Sequence, residues 1–178
     1  MYTFEEWKKN LIIVRGGGDI ATGTIYKLYQ SRFSVLVLEI ANPSCIRRTI
    51  SFCEAVFDKK VEVEGVTAKR AESLEDAFAI YGQGQIPVMI DENGSMIQEV
   101  QPPVVVDAIL AKRNLGTKIT DAPAVIGVGP GFCAGKDVDA VIETQRGHNL
   151  GRVIYEGEAA PNTGIPGMIG GYAKERVI

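Results

Sequence analysis

The chain has 178 residues, 46% of them hydrophobic, and a formal net charge of −3. That size and apolar content suit one large domain or two small ones around a real core, and the slight acidity argues against a nucleic-acid partner. No apolar run approaches the roughly 18 residues that span a bilayer, and the start, Met-Tyr-Thr-Phe-Glu-Glu-Trp-Lys-Lys, lacks the basic-then-apolar order of a signal peptide. A cytoplasmic protein with no membrane partner is expected.

Residues 1–10 read as a short leading helix and 11–15, Leu-Ile-Ile-Val-Arg, as a first strand. Gly16, Gly17 and Gly18 follow at once, and Asp19, Ala21, Thr22 and Gly23 open a helix predicted over 20–30. A second strand, 34–40, carries Glu39 at the end of its apolar run. This is the layout of a dinucleotide-binding βαβ unit. Gly16 would make the tight turn, Gly18 would admit a pyrophosphate, and Ala21 would let helix pack on strand, with Gly23 adding room. The helix N-terminus would present unpaired N–H groups to the phosphates, and Glu39 would accept from ribose hydroxyls. The plain structural alternative is an α/β turn with no dinucleotide. Asp19 is unusual in such a loop: its carboxylate would repel a pyrophosphate, which keeps a different ligand in view, unless it caps the helix through an N–H near Thr22.

Asn42-Pro43-Ser44 ends the second strand and resembles a helix start. Ile46, Ile50, Cys53 and Phe57 recur at helical spacing, which predicts a helix over 45–57. Arg47 and Arg48 near its beginning oppose the helix dipole, so they either serve an anion or form solvated surface. Residues 60–66 read as a strand that 67–70 continues or turns. Ser73 caps a helix running to about residue 81. A strand over 86–90 follows, then a turn over 91–94, a loop ending in Pro102-Pro103, and a buried parallel-type strand over 104–107 that ends in Asp107. Residues 108–113 read as a short helix ended by Gly116.

From residue 120 glycine recurs and the predicted strands, 124–128, 138–143 and 152–155, are short. The expected class is α/β: a Rossmann-like parallel-sheet domain over 1–115, followed by a smaller glycine-rich, β-containing lobe over 116–178. Gly129-Pro-Gly131, Glu143-Thr-Gln-Arg146-Gly-His148 and Asn162-Thr-Gly164 set polar residues beside glycine, as where backbone approaches a ligand or turns a sharp corner. Arg146 and His148 read as anion-binding or proton-transferring groups that Glu143 would orient. The structural alternatives are a Glu143–Arg146 ion pair and a single hydrogen bond from His148. Cys45, Cys53 and Cys133 are odd in number and widely spaced, so they read as three small thiols rather than a disulfide framework. With one histidine in the chain, no metal site is expected.

Several of these motifs together resemble one family. They are Arg15-Gly-Gly-Gly-Asp-Ile-Ala-Thr-Gly23, Ile46-Arg-Arg48 with Glu54-Ala55, Val106-Asp-Ala-Ile-Leu-Ala-Lys-Arg113, and Gly127-Val-Gly-Pro-Gly-Phe132. Glu143-Thr-Gln-Arg-Gly-His148, Asn162-Thr-Gly164 and Pro166-Gly167 complete the set. The likeness is to the YqeB-type accessory proteins of selenium-dependent molybdenum hydroxylases, which are grouped loosely with the XdhC/CoxF maturation factors. The resemblance implies a role in maturing such a hydroxylase, with that enzyme as partner and a molybdenum-cofactor-type ligand as cargo. Members of the family run further, so it also implies that these residues are part of a longer protein. The residues themselves point only to NAD or another nucleotide as a small ligand. Two other readings therefore stand beside the accessory role: an NAD-dependent oxidoreductase, for which Glu39 favours NAD over NADP, and a non-catalytic nucleotide-sensing regulator. A homo-oligomer is compatible with each.

Overall fold

The structure is a computed structural model and describes residues 2–161. Helix α1 (Phe4–Lys9) starts at a capping box: Thr3 Oγ1 accepts from the Glu6 N–H, and the Glu6 carboxylate accepts from the Thr3 N–H. Its Trp7 is fully buried beside Phe4, Phe78 and Tyr81, at ring separations of 5.5–6.0 Å. Strand β1 (Leu11–Arg15) is buried at every position, as a central parallel strand covered on both faces must be. Helix α2 (Asp19–Gln30) returns the chain to β2 (Ser34–Glu39).

Two 3-10 turns, Arg48–Ile50 and Phe52–Glu54, lead into the one-turn helix α3 (Ala55–Asp58). The expected helix over 45–57 is thus broken into short pieces. The N–H groups of Phe52 and Cys53 bond to Thr22 Oγ1 and to the Gly17 carbonyl instead of to their own preceding turn. Strands β3 (Lys60–Val63) and β4 (Val66–Ala71) form an antiparallel hairpin, not one strand. Its two-residue turn, Glu64-Gly65, has φ of 50° and 76°, the double left-handed conformation that matches strand twist.

Helix α4 (Leu74–Gly82) is capped by Ser73, whose side chain accepts from the Asp76 N–H. Strand β5 (Ile86–Ile90) follows, then helix α5 (Ser95–Val100), which lies where a loop was expected. Asp91 starts α5 by accepting from Ser95 Oγ and the Met96 N–H, and Ile97 and Val100 supply its buried face. After β6 (Val104–Asp107) the chain does not form the expected helix over 108–113. Ala108 N–H bonds to the Arg15 carbonyl, Ile109 N–H bonds to Asp107 Oδ1, and Leu110 and Lys112 both take φ of 61°. Left-handed residues cannot continue a right-handed helix.

The remaining strands are β7 (Ala124–Val128), β8 (Cys133–Ala134), β9 (Ala140–Ile142), β10 (Val153–Ile154) and β11 (Gly157–Glu158). Nine strands make one sheet in the order β10-β9-β7-β6-β1-β2-β5-β4-β3. It is parallel from β9 through β4, with antiparallel β10 and β3 at its edges. The boundary expected at 115/116 falls in the loop between β6 and β7, and both sides of it contribute strands to this sheet. Strands β8 and β11 pair separately.

Alternate residues of β1 feed two cores. Leu11 and Ile13 pack with Trp7, Leu74, Ile80 and Ile97 from α1, α4 and α5. Ile12 and Val14 pack with Ala21 and Ile25 of α2 and with Phe52. Among the described residues no helix is long and apolar enough to cross a membrane.

Candidate functional site

Strand order reverses at β1: the chain moves from β1 out to β2 on one side and later returns to β6 on the other. Loops leaving neighbouring strands diverge at such a point and open a crevice at the carboxyl edge of the sheet. Arg15, Glu39, Asp107 and Glu143 end or directly follow β1, β2, β6 and β9 along that edge.

The three glycines have different tasks. Gly16 has φ +91°, and a Cβ there would lie 2.9 Å from the Ala108 carbonyl oxygen. A Cβ on Gly17 would lie 3.0 Å from the Cys53 nitrogen. The Gly17 carbonyl accepts from the Cys53 N–H at 2.8 Å and from Thr22 Oγ1 at 3.1 Å. Gly18 is the N-cap of α2, with nothing within 4 Å of a Cβ placed on it. The N–H groups of Gly18 and Asp19 have no hydrogen-bond partner among the described residues. Open space and free donors therefore coincide at the N-terminus of a twelve-residue helix, which is what an anionic group needs there.

Ala21 is buried against β1 and β2, as helix-on-strand packing requires. Gly23 is exposed with open space around it, so it gives no room to that packing. Thr22 is 97% buried and joins three segments: its hydroxyl donates to Gly17 and accepts from the Phe52 N–H.

Glu39 is a backbone clamp. Oε2 accepts from the Gly17 N–H and Oε1 from the Ile40 N–H, both at 2.8 Å. Burial raises its pKa against the pull of these two bonds. Each oxygen keeps a lone pair, so a hydroxyl donor can still be accepted. Asp19 does not cap α2 through an N–H near Thr22: Oδ1 accepts from its neighbour Ile20, and Oδ2 lies 2.8 Å from Arg47 Nε. The Arg47 charge offsets the repulsion expected between Asp19 and a phosphate. Arg48 makes a two-pronged bond to Glu54, at 2.9 and 2.6 Å. Both arginines thus pair with carboxylates while their side chains stay 61% exposed.

Asp107 enters a buried cluster. Its register partner on β1 is Arg15, whose Nη1 is 3.4 Å from Asp107 Oδ2. Thr117 Oγ1 donates to Asp107 Oδ2 and accepts from Arg15 Nη1. Arg15 and Thr117 were not singled out in the sequence, yet there was a signal: a charged residue closing an all-apolar strand needs a partner at the same edge. Gly129 and Gly131, at φ +85° and +112°, let the chain pass Thr144 and the backbone of Arg113, which a Cβ would meet at 2.9 and 2.6 Å.

Glu143 orients neither Arg146 nor His148. Its oxygens accept from the N–H groups of Gln145 and Ala160, so it holds the loop after β9 and the chain after β11. No Glu143–Arg146 ion pair forms among the described residues. Arg146 and His148 are exposed on the loop after β9. Since β9 is the third strand from β1, its carboxyl end is roughly 14 Å from the glycine loop at about 4.8 Å per strand. Asn162, with the turns at Thr163-Gly164 and Pro166-Gly167, lies outside the described residues.

A protein of Escherichia coli (strain K12) named uncharacterized protein YqeB is 53% identical to the chain over 168 residues, covering 94% of this chain and 31% of YqeB. The chain is homologous to YqeB. The YqeB likeness read from the motifs is thereby borne out over nearly the whole sequence, and the chain spans about a third of the length of YqeB. The glycine loop, Glu39, the Arg15–Asp107 pair and Glu143 all fall in that shared region's span of strands. No family model and no solved structure matches the chain.

Proposed function

We propose that this chain is the nucleotide-binding part of a cytoplasmic accessory factor that helps mature a selenium-dependent molybdenum hydroxylase. A nucleotide, or a cofactor carrying one, sits at a Rossmann-like site formed by Gly16, Gly17 and Gly18. Its phosphates face the free N–H groups at the start of α2, and a ribose hydroxyl reaches Glu39. The observation that carries the ligand site is the open approach to Gly18 beside the unpaired Gly18 and Asp19 donors. The hydroxylase role rests on the YqeB likeness, whose motifs include Asp107, Gly129, Glu143 and His148.

Among nucleotides, NAD suits Glu39 better than NADP, because a carboxylate repels a 2′-phosphate. The nucleotide is proposed as a bound ligand.

Gly18→Val tests the ligand site. Position 18 has φ −64° and ψ 179°, which valine adopts readily, so the variant is expected to stay folded and to lose NADH binding in a melting-temperature titration. A variant that binds NADH as the parent does would refute the site. The role is tested in cells lacking the protein: the hydroxylase polypeptide should be present, inactive and short of a metal-centre component. Full activity with a complete centre would overturn the accessory reading.

A further inference from the structure

The glycine loop belongs to the face of β1 that packs on α2. The opposite face of the same strand ends in a charged residue with bonding capacity left over. Side chains alternate along β1: Ile12 and Val14 meet α2, whereas Leu11 and Ile13 meet α1, α4 and α5. Arg15 continues the second set, so its guanidinium lies on the side of the sheet away from the Gly18 and Asp19 donors. Its side chain is 6% exposed. The bonds to Asp107 Oδ2 and Thr117 Oγ1 both leave from Nη1. Nε and Nη2 have no hydrogen-bond partner among the described residues.

Nε and Nη2 form an edge with which arginine grips an oxyanion through two parallel bonds. A buried donor without an acceptor is costly, so this edge calls for an occupant. Gly94, at the start of α5, shows where one fits. It is buried, with φ +71°, and a Cβ there would stand 3.5 Å from Arg15 Nε and 3.8 Å from Cζ. Glycine thus keeps the Nε side of the guanidinium clear. The place is also the right one for a ligand: the carboxyl ends of β1 and β6, where strand order reverses.

We propose that the Nε–Nη2 edge of Arg15, beside Gly94, binds the carboxylate of a small organic acid, at a site separate from the glycine loop and independent of any nucleotide.

Asp107 sets both orientation and selectivity. Its Oδ2 lies 3.4 Å from Arg15 Nη1 and accepts from Thr117 Oγ1, while Oδ1 accepts from the Ile109 N–H. These bonds hold Nη1 inward and fix the direction of the opposite edge. An incoming anion gains two aligned bonds there, but it also meets the field of the Asp107 carboxylate. That field opposes a dianionic phosphate more than a monoanionic carboxylate, which decides between the two oxyanions.

Protein labelled with the heavy nitrogen isotope is titrated with sodium acetate and, separately, with sodium phosphate, at constant ionic strength and neutral pH. The arginine Nε–H resonances are followed, and the Arg15 signal is assigned by its loss from the double variant Arg15→Met with Asp107→Leu. Acetate is expected to move that signal along a saturable curve, and phosphate to act with several-fold weaker affinity. Gly94→Ala places a methyl group beside Nε, so its acetate affinity should fall several-fold. Gly18→Val should respond as the parent does, because the two sites lie on opposite faces of β1. No saturable movement with acetate, or tighter binding of phosphate, would overturn the carboxylate site. Loss of the response in Gly18→Val would put the anion at the glycine loop and overturn it equally. A folded Gly94→Ala with parent-like affinity would refute the place beside Gly94. Should that variant fail to fold, the parent and Gly18→Val titrations decide.

Discussion

Glu39 has two demands on it. The position, at the end of β2 about 20 residues past the glycines, is that of a ribose acceptor, while both carboxylate oxygens are already bonded to backbone N–H groups. The clamp ties Gly17 to the end of β2. Burial raises the pKa of Glu39 above its ordinary value of 4.5. The native state therefore holds this proton more tightly than the unfolded chain does. Stability from Glu39 is fully present below the unfolded value and is lost as pH rises through the native one. In Glu39→Gln one of the two N–H donors meets an amide NH₂ in place of an acceptor, which costs about 1–3 kcal/mol. Urea unfolding of the variant should show lower stability than the parent near pH 4, with the gap narrowing toward about pH 7. Parallel pH profiles would show that burial of Glu39 has no energetic consequence.

At the scale of elements, the segment 45–57 shows how a helical pattern is overridden. Ile46, Ile50, Cys53 and Phe57 have the right spacing, yet Ile46 is 96% exposed and Cys53 fully buried. The donors a helix would use internally go to α2 and the glycine loop. Thr22 is the junction, because its hydroxyl serves Gly17 and Phe52 together. Thr22→Val keeps the shape and removes the acceptor, leaving the Phe52 N–H buried without a partner. The expected loss is about 1–3 kcal/mol, read from the thermal midpoint, together with faster hydrogen exchange at the Phe52 amide. Parent-like stability and exchange would mean that the segment is held elsewhere.

At the scale of the molecule, the sheet is stitched across its reversal point by charge. Arg15 and Asp107 are buried register partners on β1 and β6, and Thr117 ties both to the loop that leads on to β7. Asp107→Ala leaves the Arg15 guanidinium buried without its counter-charge, so a loss of about 3–5 kcal/mol is expected in urea unfolding. Replacing both partners, Arg15→Met with Asp107→Leu, should recover most of that loss, because the desolvated charge is gone. A double variant as unstable as the single one would show that the cluster acts through packing rather than through charge.

Much of this was legible in local sequence. The apolar runs of β1, β2, β5, β6 and β7, the glycine turn, the acids at strand ends and the Ser73 cap all follow from short-range rules of burial, backbone freedom and donor satisfaction. Helix α5 left a fainter trace, with Asp91 before the Ile97 and Val100 spacing. Only the tertiary structure decided which strands are neighbours, that residues 124–154 extend the same sheet, and that Arg15 meets Asp107. It also decided where the N–H groups of Phe52, Cys53 and Ala108 go. The physical reason is common to these cases. Periodicity records which face of an element is buried, but strand order and loop bonding depend on partners far along the chain. A donor that finds such a partner has no need of the local helix that its neighbours' spacing would predict.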